Sequence, residues 1–447
     1  MRRITLLLTV FLFLPLLADA SFVHYKLNNG LNVYLEEDHS LPIVNVTILY
    51  KVGCVDEYNS ITGISHMLEH MNFRGSKHYK DGFIDDLTMK YGGIDNAQTS
   101  FDFTVYFTTI SKKALKQVLG FYADNMDNLL LDKQKFLKER SVVYQERLWR
   151  IDNSADGFLY FTLHNMAYKV SPYRWTPIGF AYDIKHYTIG ELRHYYEKYY
   201  APNNAVLVIS GDINTNAVLN LVKRLFGSKK PKPILRHITK EPPQLGRRIA
   251  YIRKPSEFKK IAIAFKIPSI KDEEDSAVLD LITYLLFGGK TAIAYNDLVR
   301  DKHVLVDISG WNESRVWDKG LYEIFADIPK REGFEKARRY IWDEIDKIKR
   351  GDFTHELLRV SKEKAEMDYV LSKETLRERD INEAFYAAFG LLDYYKNYLK
   401  IIDSITKKDI EKVAKKYFVQ NHETDVYLVP VKGVKPIANS KFRGSLR

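Results

Sequence analysis

Cysteine is almost missing. Cys54 is the one cysteine in 447 residues, so no internal disulfide can form. That excludes a disulfide-stapled scaffold and leaves stability to buried apolar cores. Cys54 itself reads as a small packed residue after a buried strand, with a catalytic thiol the weaker alternative. Long apolar runs are also missing after the first residues. No later stretch approaches the roughly twenty apolar residues a membrane-crossing helix needs. Acidic excess is absent: 68 Lys and Arg stand against 57 Asp and Glu, a formal net charge of +11. The basic residues are scattered along the chain and no nucleic-acid-binding motif occurs, so nucleic acid is not an expected partner. A solvated basic surface is the plainer reading, suited to anionic membrane or acidic peptides. With 45% hydrophobic residues over this length, two large domains or more can be built.

The first residues are a different kind of segment. Arg2 and Arg3 precede an apolar run from Ile4 to Leu17, and Ala18-Asp19-Ala20 follows. A positive start, a short apolar stretch and an A-x-A site make a secretory leader, expected over 1–20. Retention as an N-terminal anchor is the alternative. No cysteine follows the run, which argues against a lipoprotein. Export, to the periplasm or another compartment outside the cytoplasm, is the expectation.

What is present, and organises the rest, is one helical turn: Gly63-Ile64-Ser65-His66-Met67-Leu68-Glu69-His70-Met71. Residues three and four apart share a helix face, so His66, Glu69 and His70 point the same way. Two imidazoles one turn apart can grip a divalent metal. The carboxylate just before the second His is placed to take a proton from water. The order His-x-x-Glu-His is the inverted form of the zinc motif. Catalytic zinc takes three protein ligands and leaves a position open. A stretch from Lys133 to Arg150 reads as a helix on which Glu139 and Glu146, two turns apart, lie on one face. Neither has a lysine four residues after it, and both border the Val142-Val143 stripe. Glu146 is taken as the third ligand and Glu139 as its neighbour. One Zn2+ per chain is expected.

Around this turn, Phe22 to Glu37 alternates about Asn28-Asn29-Gly30, a hairpin signal. Val44 to Val52 is a further strand. A helix from Phe83 to Tyr91 ends at Gly92-Gly93. Asn96 to Ile110 reads as a single strand, and Lys112 to Leu130 as a helix. Thr188 with Glu191 forms a capping box opening a helix to Tyr200, followed by the strand Ala205 to Ser210. Pro231, Pro233, Pro242 and Pro243 amid basic residues mark a linker. The second half then repeats the first: Thr406-Lys407-Lys408-Asp409 to Phe418, Asn421-His422 and the strand from Asp425 sit at a constant offset of 218 residues. By pattern alone, Lys260 to Phe265 and Asp275 to Phe287 match Val44 to Tyr50 and the metal helix. Asp280, Thr283 and Tyr284 then fall where His66, Glu69 and His70 stood, so the repeat carries no second metal site.

Four motifs in this order resemble the M16 zinc peptidases, the pitrilysin-like and mitochondrial-processing-peptidase-like family: His66-Met67-Leu68-Glu69-His70-Met71-Asn72-Phe73-Arg74-Gly75, Gly92-Gly93-Ile94-Asp95-Asn96-Ala97-Gln98-Thr99, Glu139 to Glu146, and Tyr200-Ala201-Pro202-Asn203-Asn204-Ala205. The resemblance covers nearly the whole mature chain. It implies an α+β fold of two homologous domains, each an antiparallel-rich sheet with helices on one face. The expected segments are a metal-binding domain at 21–228, a linker at 229–245, a metal-free domain at 246–435 and a basic tail at 436–447. It implies a zinc-dependent endopeptidase with Glu69 as general base, His66, His70 and Glu146 as ligands, and Glu139 as the outer carboxylate. It further implies that Asn96 and Ala97 hold the main chain of a peptide substrate added to a sheet edge.

One departure bears on partners. Members that cut alone or as homodimers carry a second-half Arg and Tyr near the scissile bond. Here Ala294 falls at the Arg position and Asp307 at the Tyr position. A heterodimer with a related, metal-free subunit supplying that pair is expected, or else a homodimer in which Tyr295 or Arg300 substitutes. A non-catalytic core-type subunit and a peptide-binding module are the competing readings.

Overall fold

The computed structural model describes residues 22–431. The expected leader at 1–20 and the basic tail at 436–447 lie outside the described residues. The first half runs β1 Val23–Lys26, β2 Asn32–Glu37, β3 Ile43–Tyr50, α1 Ile64–Asn72, α2 Phe83–Tyr91, β4 Ile94–Thr99, β5 Thr104–Ser111, α3 Leu115–Asp127, α4 Lys133–Arg147, α5 Ala155–Ala167, α6 Ala181–His186, α7 Ile189–Tyr199, β6 Ala205–Gly211 and α8 Thr215–Phe226. Residues 229–245 run without helix or strand. The second half runs β7 Arg248–Pro255, β8 Lys259–Ile267, α9 Glu273–Phe287, β9 Asp307–Glu313, β10 Gly320–Ile328, α10 Phe334–Arg350, α11 His355–Leu371, α12 Leu376–Phe389, α13 Leu392–Ser404, α14 Lys407–Tyr417 and β11 Glu423–Val431.

The first sheet has the order β1-β2-β6-β3-β5-β4 and the second β7-β11-β8-β10-β9. Every neighbouring pair is antiparallel except β2 with β6 and β7 with β11, which are parallel. The second sheet is therefore the first without β1. The repeat holds residue for residue at its end. Thr188 and Thr406 each cap a helix with an acid three residues on, Glu191 and Asp409. One 3-10 turn follows in each half, Pro202–Asn204 and Gln420–His422, and then β6 or β11. In the ladders Tyr50 faces Ala205 and Phe265 faces Glu423, which makes β3 and β8 equivalent.

The hairpin β1–β2 and the helix α2, closed by left-handed Gly92, form where the turn signals place them. The single strand expected from Asn96 to Ile110 does not form. It is two strands, β4 and β5, folded back on each other around residues 100–103. The turn is closed by Ser100 N–H donating to Phe103 O at 2.8 Å. Alternation alone could not reveal it, because Phe101 and Asp102 continue the apolar/polar pattern. They are buried against the second half instead: Asp102 accepts the Tyr173 hydroxyl and, at 3.1 Å, the Val316 N–H. The fold leaves β4 as an edge of its sheet.

Each sheet packs its own helices on one face. Val46, Ile48 and Leu207 meet Ile64, Leu68 and Leu119 in the first core, and Ile261, Ile263 and Phe265 meet Leu279, Ile282 and Ile345 in the second. The opposite face of each sheet receives a helix of the other half. α12 lies across β3 and β6, and α5 lies across β7, β8 and β11. This explains why β3 is buried on both faces although it carries Asn45 and Thr47. Asn45 Nδ2 donates to Asp380 Oδ2 of α12 at 2.6 Å. Reciprocally, His164 of α5 stands 2.8 Å from Glu323 of β10, both fully buried. Cys54 lies in the same interface, wholly buried, where burial pushes its thiol well above the ordinary range. It is a packed residue. Among the described residues no helix is long and apolar enough to cross a membrane.

Candidate metal centre

Helix α1 is fixed at its start before it offers anything to a metal. Gly63 caps it with φ +85°, and a Cβ there would meet Ile178 O at 2.4 Å. The buried Glu57 carboxylate accepts Gly63 N–H at 2.7 Å and Ser65 N–H at 2.9 Å, satisfying donors of the first turn. Ile64, Met67, Leu68 and Met71 face the core. The remaining face carries His66, Glu69 and His70.

Helix α4 is capped by Asp132, which accepts from Gln134 and Lys135 N–H. Its core-facing side presents Phe136, Glu139 and Val143. Two turns after Glu139, Glu146 comes up opposite α1. Glu146 Oε2 stands 3.4 Å from His70 Nε2 and 3.7 Å from His66 Nε2. One ligand atom from each of the three lies within 4.8 Å of the others, the one such cluster among the described residues. Zinc bonds of about 2.0–2.2 Å in tetrahedral array put ligand atoms about 3.3–3.6 Å apart. Two imidazole nitrogens and one carboxylate at these separations fit that ion.

The surroundings set the charge of each of these side chains. Burial, helped by His70, pushes His66 down to about 3, so its ring is neutral and its lone pair free. Its Nδ1 is buried without a hydrogen-bond partner. Burial opposes protonation of His70, but Glu139 and Glu146 outweigh it and bring that ring up to about 9. Glu139 Oε2 stands 3.3 Å from His70 Nδ1, and its other oxygen pairs with Arg74 Nε at 2.9 Å. Burial would raise Glu146, but His70, His66 and Arg150 hold it at about 2, a carboxylate throughout the physiological range.

Glu146 does have a cation at four-residue spacing: Arg150 Nε lies 2.9 Å from its Oε1. The absence of a lysine there was therefore no sign of an unpaired acid. Arg150 takes one oxygen and leaves the other toward the imidazoles.

Glu69 is buried, and burial raises its carboxyl. Thr99, the last residue of β4, donates its hydroxyl to Glu69 Oε2. Asn96 and Ala97 lie on the same edge strand, with Ala97 N–H donating to Asn96 Oδ1 at 2.9 Å. Thr99, Arg74 and Arg150 are site neighbours to which sequence reasoning assigned no role. For Thr99 a signal existed: it alternates with Ala97 on a strand that ends beside the metal helix.

The second-half residues expected at the equivalent positions are engaged otherwise. Asp280 accepts from Asn312 at 3.0 Å and from Tyr398 at 3.1 Å, and the Tyr284 hydroxyl donates to Asp368 at 2.7 Å. Ala294 is fully buried in the second core, and Asp307 opens β9.

The family model "Insulinase (Peptidase family M16)" matches residues 32–176, and "Peptidase M16 inactive domain" matches residues 186–364. The chain is 34% identical to the zinc protease PqqE of Helicobacter pylori, over 90% of this chain and 92% of that one. It is 25% identical to a probable mitochondrial-processing peptidase subunit beta of Arabidopsis thaliana, over 72% of this chain and 62% of that one. The crystal structure of a protease from Helicobacter pylori superposes with a TM-score of 0.88 at 33% identity, covering 92% of this chain and all of that one.

Proposed function

The chain belongs to the M16 peptidase family, and from that premise we propose that it is a zinc-dependent endopeptidase acting on peptides or unfolded segments. The observation that carries this reading is the convergence of His66 Nε2, His70 Nε2 and Glu146 Oε2 beside Glu69. His66, His70 and Glu146 would hold the ion. Zinc bound there would supply Lewis acidity, enough to polarise a carbonyl and to lower the pKa of water toward 7. Glu69 takes the proton from the attacking water and later returns it to the leaving amine. Such transfer contributes about 10²–10⁴-fold in rate. Glu139 orients His70 through Nδ1, as outer carboxylates do for metal-bound imidazoles. The peptide adds to the free edge of β4 as an extra strand, with Asn96 and Ala97 on its main chain.

The working form is a heterodimer with a related, metal-free subunit. Ala294 lies in the second core and Asp307 opens β9; with neither an Arg nor a Tyr at those positions, this reading takes the substrate-binding pair from that partner. A homodimer is the alternative. The leader at 1–20 directs the chain out of the cytoplasm.

The test is zinc content and cleavage of an unstructured peptide mixture by the chain, read by mass spectrometry, with Glu69→Gln as control. Stoichiometric zinc and cleavage lost in the control support the reading. Cleavage by the purified chain alone removes the need for a metal-free partner. Absence of zinc binding, or cleavage undiminished in Glu69→Gln, overturns the proposal.

A further inference from the structure

Among the described residues, Thr99 is the one side chain hydrogen-bonded to Glu69. Its hydroxyl donates to Oε2, and both residues are 9% exposed, so water does not compete freely for that oxygen. A hydroxyl supplies a single donor. It therefore selects one carboxylate oxygen and leaves the other to act.

The backbone that carries this hydroxyl is held from several sides. Thr99 faces Thr104 in the last rung of the β4–β5 ladder, and Thr104 Oγ1 donates to Val52 O at 2.9 Å. In the turn that follows, Cys54 N–H donates to Ser100 O at 3.3 Å and Val55 N–H to Phe101 O at 2.9 Å. Gly53 makes that approach possible, because a Cβ there would meet Ser100 O and Phe101 O at 2.6 Å. Asp102 ties the same turn to Val316 of the second half. A threonine so placed has little freedom, and it passes that constraint to the carboxylate.

We propose that Thr99 is a positioning residue for Glu69, fixing the base from the edge strand that takes the peptide. This rests on Glu69 acting as the general base. Peptide addition to β4 and orientation of the base then share one strand, so a docked substrate firms the geometry its own cleavage needs. A carboxylate left free to swing by about 1 Å costs up to about 100-fold in rate.

The experiment compares zinc-loaded wild type, Thr99→Val, Thr99→Ser and Glu69→Gln, as the chain alone or in complex with its partner, whichever form cuts. Steady-state kinetics, zinc affinity by chelator competition and crystal structures are the readouts. Thr99→Val is expected to lower kcat by about 10- to 100-fold, with KM and zinc affinity within about twofold of wild type. Its crystal structure should show the Glu69 carboxylate moved while His66, His70 and Glu146 stay. Thr99→Ser, which keeps the hydroxyl, should restore both rate and position. Wild-type kcat in Thr99→Val, an unmoved Glu69, or equal damage in Thr99→Ser overturns the proposal. Full activity in Glu69→Gln overturns the general-base reading instead. The crystallographic comparison separates the two failures.

Discussion

Glu139 stands 3.3 Å from His70 Nδ1 while its second oxygen pairs with Arg74 at 2.9 Å. The carboxylate is thus held at both oxygens, and it fixes the imidazole so that Nε2 faces Glu146. Replacing Glu139 with Gln removes the charge and keeps the size. Zinc affinity should fall about 10- to 100-fold, the usual loss for an outer-shell partner. Competition with a chromophoric chelator measures it, and unchanged circular dichroism would show that the fold is intact.

Metal removal should leave the protein folded. α1 and α4 are held by buried Leu68, Met71, Phe136 and Val143, not by the ion. A chelated sample should keep its far-ultraviolet spectrum and melt at a lower temperature than the zinc-loaded one. Because zinc stabilises in proportion to RT ln(1 + [Zn]/Kd), saturation at 100 times Kd adds about 2.7 kcal/mol. The gain should vanish in His70→Ala and in Glu146→Gln, measured by calorimetry with and without zinc.

The interlock of the two halves gives a pH signature. Asp380 on α12 is fully buried against β3, and burial pushes its carboxyl well above the ordinary carboxylate range. The native state therefore keeps a proton that the unfolded chain releases above about pH 4. Stability is lost as pH rises from there. Asp380→Asn has no proton to lose and can still accept from Asn45. It should be more stable than wild type at pH 7, with the gap widening from pH 5 to pH 8 in urea melts. An equal gap at all pH values would refute the assignment.

Gly63 tests the mounting of the metal helix. Its φ of +85° and the 2.4 Å approach of Ile178 O exclude a Cβ. Gly63→Ala should cost more than about 1 kcal/mol and weaken zinc binding, because α1 must shift to make room. Thermal denaturation and zinc titration on the same variant check both parts.

The sequence by itself determined the turn that carries His66, Glu69 and His70, the capping boxes and the repeat. Each is written within one helix or one strand-turn-helix unit, where spacing alone decides which side chains share a face. His66, Glu69 and His70 needed only the 3.6-residue period, and Glu139 and Glu146 only two turns of it. The tertiary structure decided what crosses between elements. It split the stretch from Asn96 to Ile110 at residues whose alternation never faltered, because Phe101 and Asp102 gain burial against the second half. It turned the polar face of β3 inward by laying α12 over it, with Asp380 meeting Asn45 from 335 residues away. It put the Thr99 hydroxyl on Glu69, 30 residues distant along the chain. Local periodicity carries no record of which distant group arrives at a buried donor or acceptor. That is settled when distant elements close on each other and each polar atom finds the partner that burial requires.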